Sequence, residues 1–101
     1  MPQTILLTGA TGFVGQYVLQ ELLSRNYNVI CVVRTLPEWS DIYAVEWRIS
    51  QLKELNLLEI ECNLDGIIHI AGMVNHTRLQ DDTIFEVNVN GTAAACKLAI
   101  V

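Results

Sequence analysis

The chain has 101 residues, 51% hydrophobic and 17% charged, with a formal net charge of −5 at pH 7. This is the size of one small domain, and the composition argues for a packed core and against disorder. The acidic balance, without any cluster of Lys and Arg, argues against nucleic acid as a partner, since a phosphate backbone requires a basic surface. No apolar run approaches the ~20 residues that cross a bilayer, and MPQTILLTGA lacks the basic region and cleavage site of a signal peptide, so the expectation is a cytosolic protein with no membrane partner.

In chain order, TILLT (residues 4–8) reads as a short strand buried on both faces. From residue 13 to about residue 24 the pattern turns helical, with Val14, Val18 and Leu22 at four-residue spacing and Leu19 and Leu23 beside them. Arg25, Asn26 and Tyr27 form a turn, and NVICVV (28–33) is a second buried strand, which completes a strand–helix–strand unit. TLPEWSDIY holds one short helical turn at most; AVEWRI (44–49) is a third strand, and residues 52–62 have helical spacing through Leu55, Leu58 and Cys62. DGIIHIAG (65–72) is a fourth strand ending at a glycine. The final helix starts at Asp81 or Asp82, whose charge suits the helix dipole. Ile84, Val87, Gly91, Ala95 and Leu98 line one side of it, and Phe85, Val89, Ala93, Cys96 and Ile100 another, with Gly91 interrupting the pattern at some cost. A helix apolar nearly all round expects neighbours on two sides. Alternating strands and helices predict an α/β fold with a parallel sheet of about four strands, flanked by helices.

Gly9, Gly12 and Gly15 stand between the first strand and the first helix. A sharp strand-to-helix turn needs a residue without Cβ, a pyrophosphate needs backbone amides it can approach closely, and the helix must lie tightly on the strand; the three glycines match those needs in order. The alternative is a tight turn with no ligand. The cysteines Cys31, Cys62 and Cys96 include no C-x-x-C pair and read as buried reduced thiols. With His69 and His76, Cys62 forms C-x6-H-x6-H, which matches no tight-paired zinc spacing. His69 reads as a hydrogen-bonded core residue, and His76, on the loop after the fourth strand, as a candidate substrate contact.

TGATGFVG resembles the N-terminal signature of the extended short-chain dehydrogenase/reductase family, NAD(P)-dependent enzymes that include epimerases and dehydratases. VICVVR, DGIIHIAG and VNVNGTAAACKLA match further motifs of that family in order and spacing. The resemblance implies a partial Rossmann fold with strand order 3-2-1-4 and a nicotinamide dinucleotide as cofactor. It implies that Gly9, Thr11, Gly12 and Gly15 form the phosphate loop, with Phe13 and Val14 supplying amides. Ile70, Ala71, Gly72, Met73 and Val74 would run beside the nicotinamide-side ribose and phosphates, and Asn88 would contact the cofactor or brace the adjacent strand. Where the family often has G-D-L or G-D-I after its third strand, this chain has Ser50-Gln51-Leu52, so that Gln51 and Leu52 would line the cofactor, Gln51 meeting the adenine amino group through its carbonyl oxygen.

The second strand ends Val33-Arg34 without an acid to bind both ribose hydroxyls. An arginine there pairs with a 2′-phosphate, so NADP is expected over NAD. The family's catalytic Y-x-x-x-K is missing: Glu21, Cys31 and Trp47 stand four residues after Tyr17, Tyr27 and Tyr43. The expectation is therefore the N-terminal half of a dinucleotide-binding domain, truncated before its catalytic part and inactive alone. Small-molecule substrate would bind only a full-length form, and a homo-oligomer would assemble through the C-terminal helix. The alternatives are a non-catalytic dinucleotide-binding or redox-sensing module, or an inactive remnant.

Overall fold

In the computed structural model, which describes residues 2–60, 62–71 and 89–100, strands Thr4–Thr8 (β1), Asn28–Val33 (β2), Glu46–Ile49 (β3) and Gly66–His69 (β4) form one sheet in the order β3-β2-β1-β4. All three pairings are parallel, with Leu7 opposite Cys31 on one side of β1 and opposite Ile68 on the other. The apolar runs of β1 and β2 follow from this placement. Leu6, Ile30 and Val32 join the core on one face, whereas Leu7, Val29 and Cys31 join the core on the opposite face. A strand covered on both sides needs an apolar residue at every position instead of every second one.

Helix Phe13–Ser24 (α1) covers the Leu7 face, burying Leu19 and Leu22 there. Val14, expected in the same stripe, is 57% exposed. The close approach of the helix start is made instead at the following residue, Gly15, which lies against the backbone of Gly9 and Ala10. At the other end, the Asn26 N–H donates to the Leu23 carbonyl (3.1 Å) and the Tyr27 N–H to that of Leu22 (3.1 Å). Asn26 takes φ 64° between them, a left-handed stop that asparagine tolerates.

The connection from β2 to β3 is built from turns. The Ser40 N–H donates to the Pro37 carbonyl and the Ile42 N–H to that of Trp39. Aromatic rings do the covering that a helix does elsewhere: Trp39 packs edge-to-face on Tyr43 and on Trp47, at centroid distances of 5.8 and 5.7 Å. The Trp47 indole N–H, half-buried there, donates to the Ser40 carbonyl at 2.8 Å.

On the Leu6 face lie a 3-10 helix, Leu52–Leu57, and helix Gly91–Ile100 (α2). The regular helix expected over residues 52–62 is shortened: Leu58 has extended backbone (φ −65°, ψ 133°). Leu52, Leu55 and Leu58 recur every three residues, the repeat of a 3-10 helix, and the first two fill the core before the chain turns out. Gly91 is a contact point and the first residue of α2: a Cβ there would lie 2.8 Å from the Leu52 Cβ. Ala94 and Ala95 are buried on that side, while Ala93 and Cys96 are exposed. The expected helix start at Asp81 or Asp82, with Ile84, Phe85 and Val87, lies outside the described residues.

The cysteine expectation is corrected in part. Cys31 is buried, but Cys62 and Cys96 are exposed. Cys62 follows the point where the 3-10 helix has ended, and Cys96 falls on the outer side of α2. No helix among the described residues is long and apolar enough to cross a membrane.

Candidate functional site

Parallel strands end on the same edge, so each connection leaving that edge brings a candidate residue with it. The loop after β1 carries Gly9, Thr11 and Gly12; β2 is followed by Arg34, β3 by Gln51, and β4 by Ile70 and Ala71. The helix that follows β1 covers one face of the sheet and the helix of residues 91–100, later in the chain than β4, covers the other, which makes the gap between these neighbouring strands the switch point where open α/β sheets take ligands. Gly72, Met73, Val74, His76 and Asn88 lie outside the described residues.

The three glycines meet different constraints. Gly9 has φ +82°, and a Cβ on it would come within 2.7 Å of the Ala71 nitrogen. At Gly15 a Cβ would overlap the Gly9 carbonyl outright and lie 2.9 Å from the Ala10 Cα. Gly12 is different: its φ is −81°, and the one neighbour of an added Cβ among the described residues is the Gly9 oxygen at 3.4 Å. Packing thus requires glycine at positions 9 and 15, whereas at 12 the described residues leave an added methyl in ordinary van der Waals contact.

Gly12 caps α1 without a side-chain hydrogen bond, and the first turn carries no acidic residue. The Gly12 N–H is taken by the Gly9 carbonyl (3.1 Å), and helical bonding begins with the Gln16 N–H on the Gly12 carbonyl (3.1 Å). The amides of Phe13, Val14 and Gly15 therefore precede any intrahelical acceptor, at the positive end of the helix dipole. Phe13 is 82% exposed, and its ring meets Tyr17 edge-to-face at 5.5 Å. The set suits an anion.

Arg34 is exposed directly after β2 and makes no hydrogen bond or ion pair among the described residues. Gln51 is exposed at the start of the 3-10 helix, with extended backbone. Leu52 packs inward among Leu6, Ile30 and Leu55, so its side chain belongs to the core.

One residue that carries the geometry went unread in the sequence. Thr8 is fully buried, and its Oγ1 accepts from the N–H groups of Ile70 (3.1 Å) and Ala71 (3.2 Å). With both lone pairs used, its single hydrogen goes to His69 Nδ1 at 2.7 Å. That bond assigns His69 the tautomer with its proton on Nε2, and burial lowers its pKa from the usual imidazole value. His69 is thus the hydrogen-bonded residue its strand position suggested. The signal for Thr8 was a hydroxyl at the end of a wholly buried strand, which must find partners.

A cavity of about 540 Å³, lined in part by Leu58, Ile60, Asp65 and Leu98, opens beside the start of β4, at the opposite end of the strand from the glycine loop.

Comparison with known proteins agrees with this geometry. The sequence profile of the NAD dependent epimerase/dehydratase family matches residues 5–100. CDP-abequose synthase of Salmonella muenchen is 33% identical over 92 residues, covering 84% of this chain and 29% of that protein. The UDP-glucose 4-epimerase of Bifidobacterium longum, solved with NAD+ and UDP, superposes with a TM-score of 0.79 at 25% identity, covering 97% of this chain and 33% of that one. The NADPH-bound structure of ElxO shares the fold, with a TM-score of 0.82 at 18% identity over 99% of this chain and 50% of its own. The chain spans about a third of the length of the first two proteins. On the profile match across nearly all its residues, the chain belongs to the NAD dependent epimerase/dehydratase family.

Proposed function

We propose that the chain binds a nicotinamide dinucleotide across the C-terminal ends of its strands, with NADP(H) preferred over NAD(H). The observation that carries this reading is the room at Gly12, where among the described residues an added Cβ would meet the Gly9 oxygen alone, beside the uncapped amides of α1. A diphosphate fits that cradle: a side chain at position 12 would project where the ligand approaches, and amides of Phe13 and Val14 supply donors to its oxygens. Arg34, exposed and without a protein partner among the described residues, suits a 2′-phosphate through a charge-assisted pair. Gln51 offers its carbonyl oxygen to the adenine amino group. Ile70 and Ala71, with Gly72, Met73 and Val74 after them in sequence, are assigned to the nicotinamide-side ribose and phosphates, and Asn88 to a cofactor contact or to bracing the adjacent strand.

The cofactor supplies hydride transfer when bound. The residues described here bind and orient; none of Tyr17, Tyr27 and Tyr43 is followed by the lysine of a Y-x-x-x-K pair. For the whole protein the proposal is an oxidoreductase or an epimerase/dehydratase. The test is fluorescence titration of the chain and of Arg34→Ala with NADPH and NADH. NADPH should bind the unsubstituted chain more tightly than NADH, and Arg34→Ala should weaken NADPH about tenfold to a hundredfold, the worth of one charge-assisted bond, while leaving NADH unchanged. Tighter binding of NADH would refute the Arg34 assignment, and failure to bind either would refute the site.

A further inference from the structure

We propose that Thr8 and His69 are a positioning pair for the dinucleotide site, holding the backbone at Ile70 and Ala71 against Gly9 only while His69 is neutral. The inference rests on the dinucleotide reading above and adds a proton-linked control to it. The Ala71 nitrogen that bonds Thr8 Oγ1 is also the atom nearest the space left by the missing side chain of Gly9. The threonine hydroxyl therefore sets the distance between the glycine loop and the chain leaving β4, the two walls of the gap where the ligand is placed.

The arrangement has one acceptor too few to survive protonation of the imidazole. Thr8 Oγ1 accepts two N–H groups and donates its own hydrogen to Nδ1. A proton on Nδ1 places two donors face to face, and Oγ1 can accept from the imidazolium only by releasing Ile70 or Ala71. The hydroxyl hydrogen must then turn toward one of those N–H groups; turned toward Ile70, whose N–H also lies 3.3 Å from the Thr8 carbonyl, it sets donor against donor and pushes that peptide, with the adjoining Ala71, away from Thr8. Among the described residues the Ala71 N–H is held by the hydroxyl.

Thr8 and His69 share the sheet face of Leu6 and Ile67, which the 3-10 helix and α2 cover. The charged residues of those two elements are Lys53, Glu54 and Lys97, all exposed; β1 and β4 carry none. Burial is the cause that lowers the His69 pKa, and it favours the same neutral form as the hydrogen bonds do.

Two measurements test the pair. Imidazole NMR of the unsubstituted chain should show His69 as the Nε2–H tautomer, titrating below the usual histidine range. Thr8→Val should lose the tautomer preference and move the titration upward, and Thr8→Ser should restore both. In the second measurement, NADPH dissociation constants are taken from pH 5.5 to 8 for the chain and for His69→Asn, whose amide oxygen accepts from Thr8 without titrating. Their ratio cancels protonation of the ligand's own phosphates and of His76. It should rise toward tenfold per pH unit below the His69 pKa, the limit for one linked proton. A constant ratio, or His69 protonated on Nδ1 at pH 8, overturns the proposal. Absence of NADPH binding at pH 8 alongside the expected NMR result refutes the dinucleotide reading, and this one with it.

Discussion

Replacing Gly15 by alanine separates the structural glycines from the one assigned to ligand. In a helix interior, alanine is favoured over glycine by about 1 kcal/mol. Against this gain, the new methyl would overlap the Gly9 carbonyl and stand 2.9 Å from the Ala10 Cα, where carbon atoms need about 3.5–4.0 Å. Both neighbours are backbone, one at φ +82° and the other fully buried, and neither can rotate aside. Helix α1 must lift on the order of an ångström, loosening Leu19 and Leu22 from Leu7 and Val29. Overpacking of this kind costs about 1–3 kcal/mol, and lost leucine contacts add to it, so the expected net destabilisation is about 2–3 kcal/mol. In urea this lowers the unfolding midpoint by roughly 1–2 M at the slopes of small proteins. Gly12→Ala is the comparison: its methyl meets the Gly9 oxygen at 3.4 Å. Loss of the glycine cap should cost at most about 1 kcal/mol, with the larger effect falling on NADPH affinity. A Gly15→Ala midpoint within error of the unsubstituted chain, or equal losses at the two positions, would refute the reasoning.

Thr8→Val keeps the shape of the side chain but strands the Ala71 N–H and His69 Nδ1, for an expected loss of about 1–3 kcal/mol in urea unfolding; Thr8→Ser should recover most of it. Native thiol titration at pH 8 should modify Cys62 and Cys96, both exposed, and spare Cys31, whose pKa burial pushes up to about 12; modification of Cys31 without unfolding would contradict its placement. Because His69 titrates lower in the folded chain than unfolded, its contribution is present above the unfolded value near 6.5 and is lost as pH falls through the folded value. Thermal midpoints should therefore drop below about pH 6.5, and His69→Asn should flatten that part of the profile.

Features that follow from local sterics and residue repeat are legible in the amino-acid order alone. The bounds of α1 were legible because Gly12 precedes a four-residue apolar rhythm and Asn26 supplies the left-handed stop. The buried character of β1 and β2 was legible in unbroken runs of Leu, Ile and Val, and Gly9 stood where a turn needs φ above zero. The edge at which Arg34, Gln51, Ile70 and Ala71 meet followed from strands that run parallel. Tertiary structure decided what depends on a neighbour far along the chain. Thr8 acquires its role from residues more than 60 positions later. Gly91 reads locally as a weak point in a helix, and its Cβ-free surface is explained only by Leu52 pressed against it. Likewise Val14 has the right spacing for the core but is exposed, because none of the described elements packs over it. A residue's backbone preference is set within a few positions of itself, whereas burial and hydrogen bonding are set by whichever element the fold brings alongside.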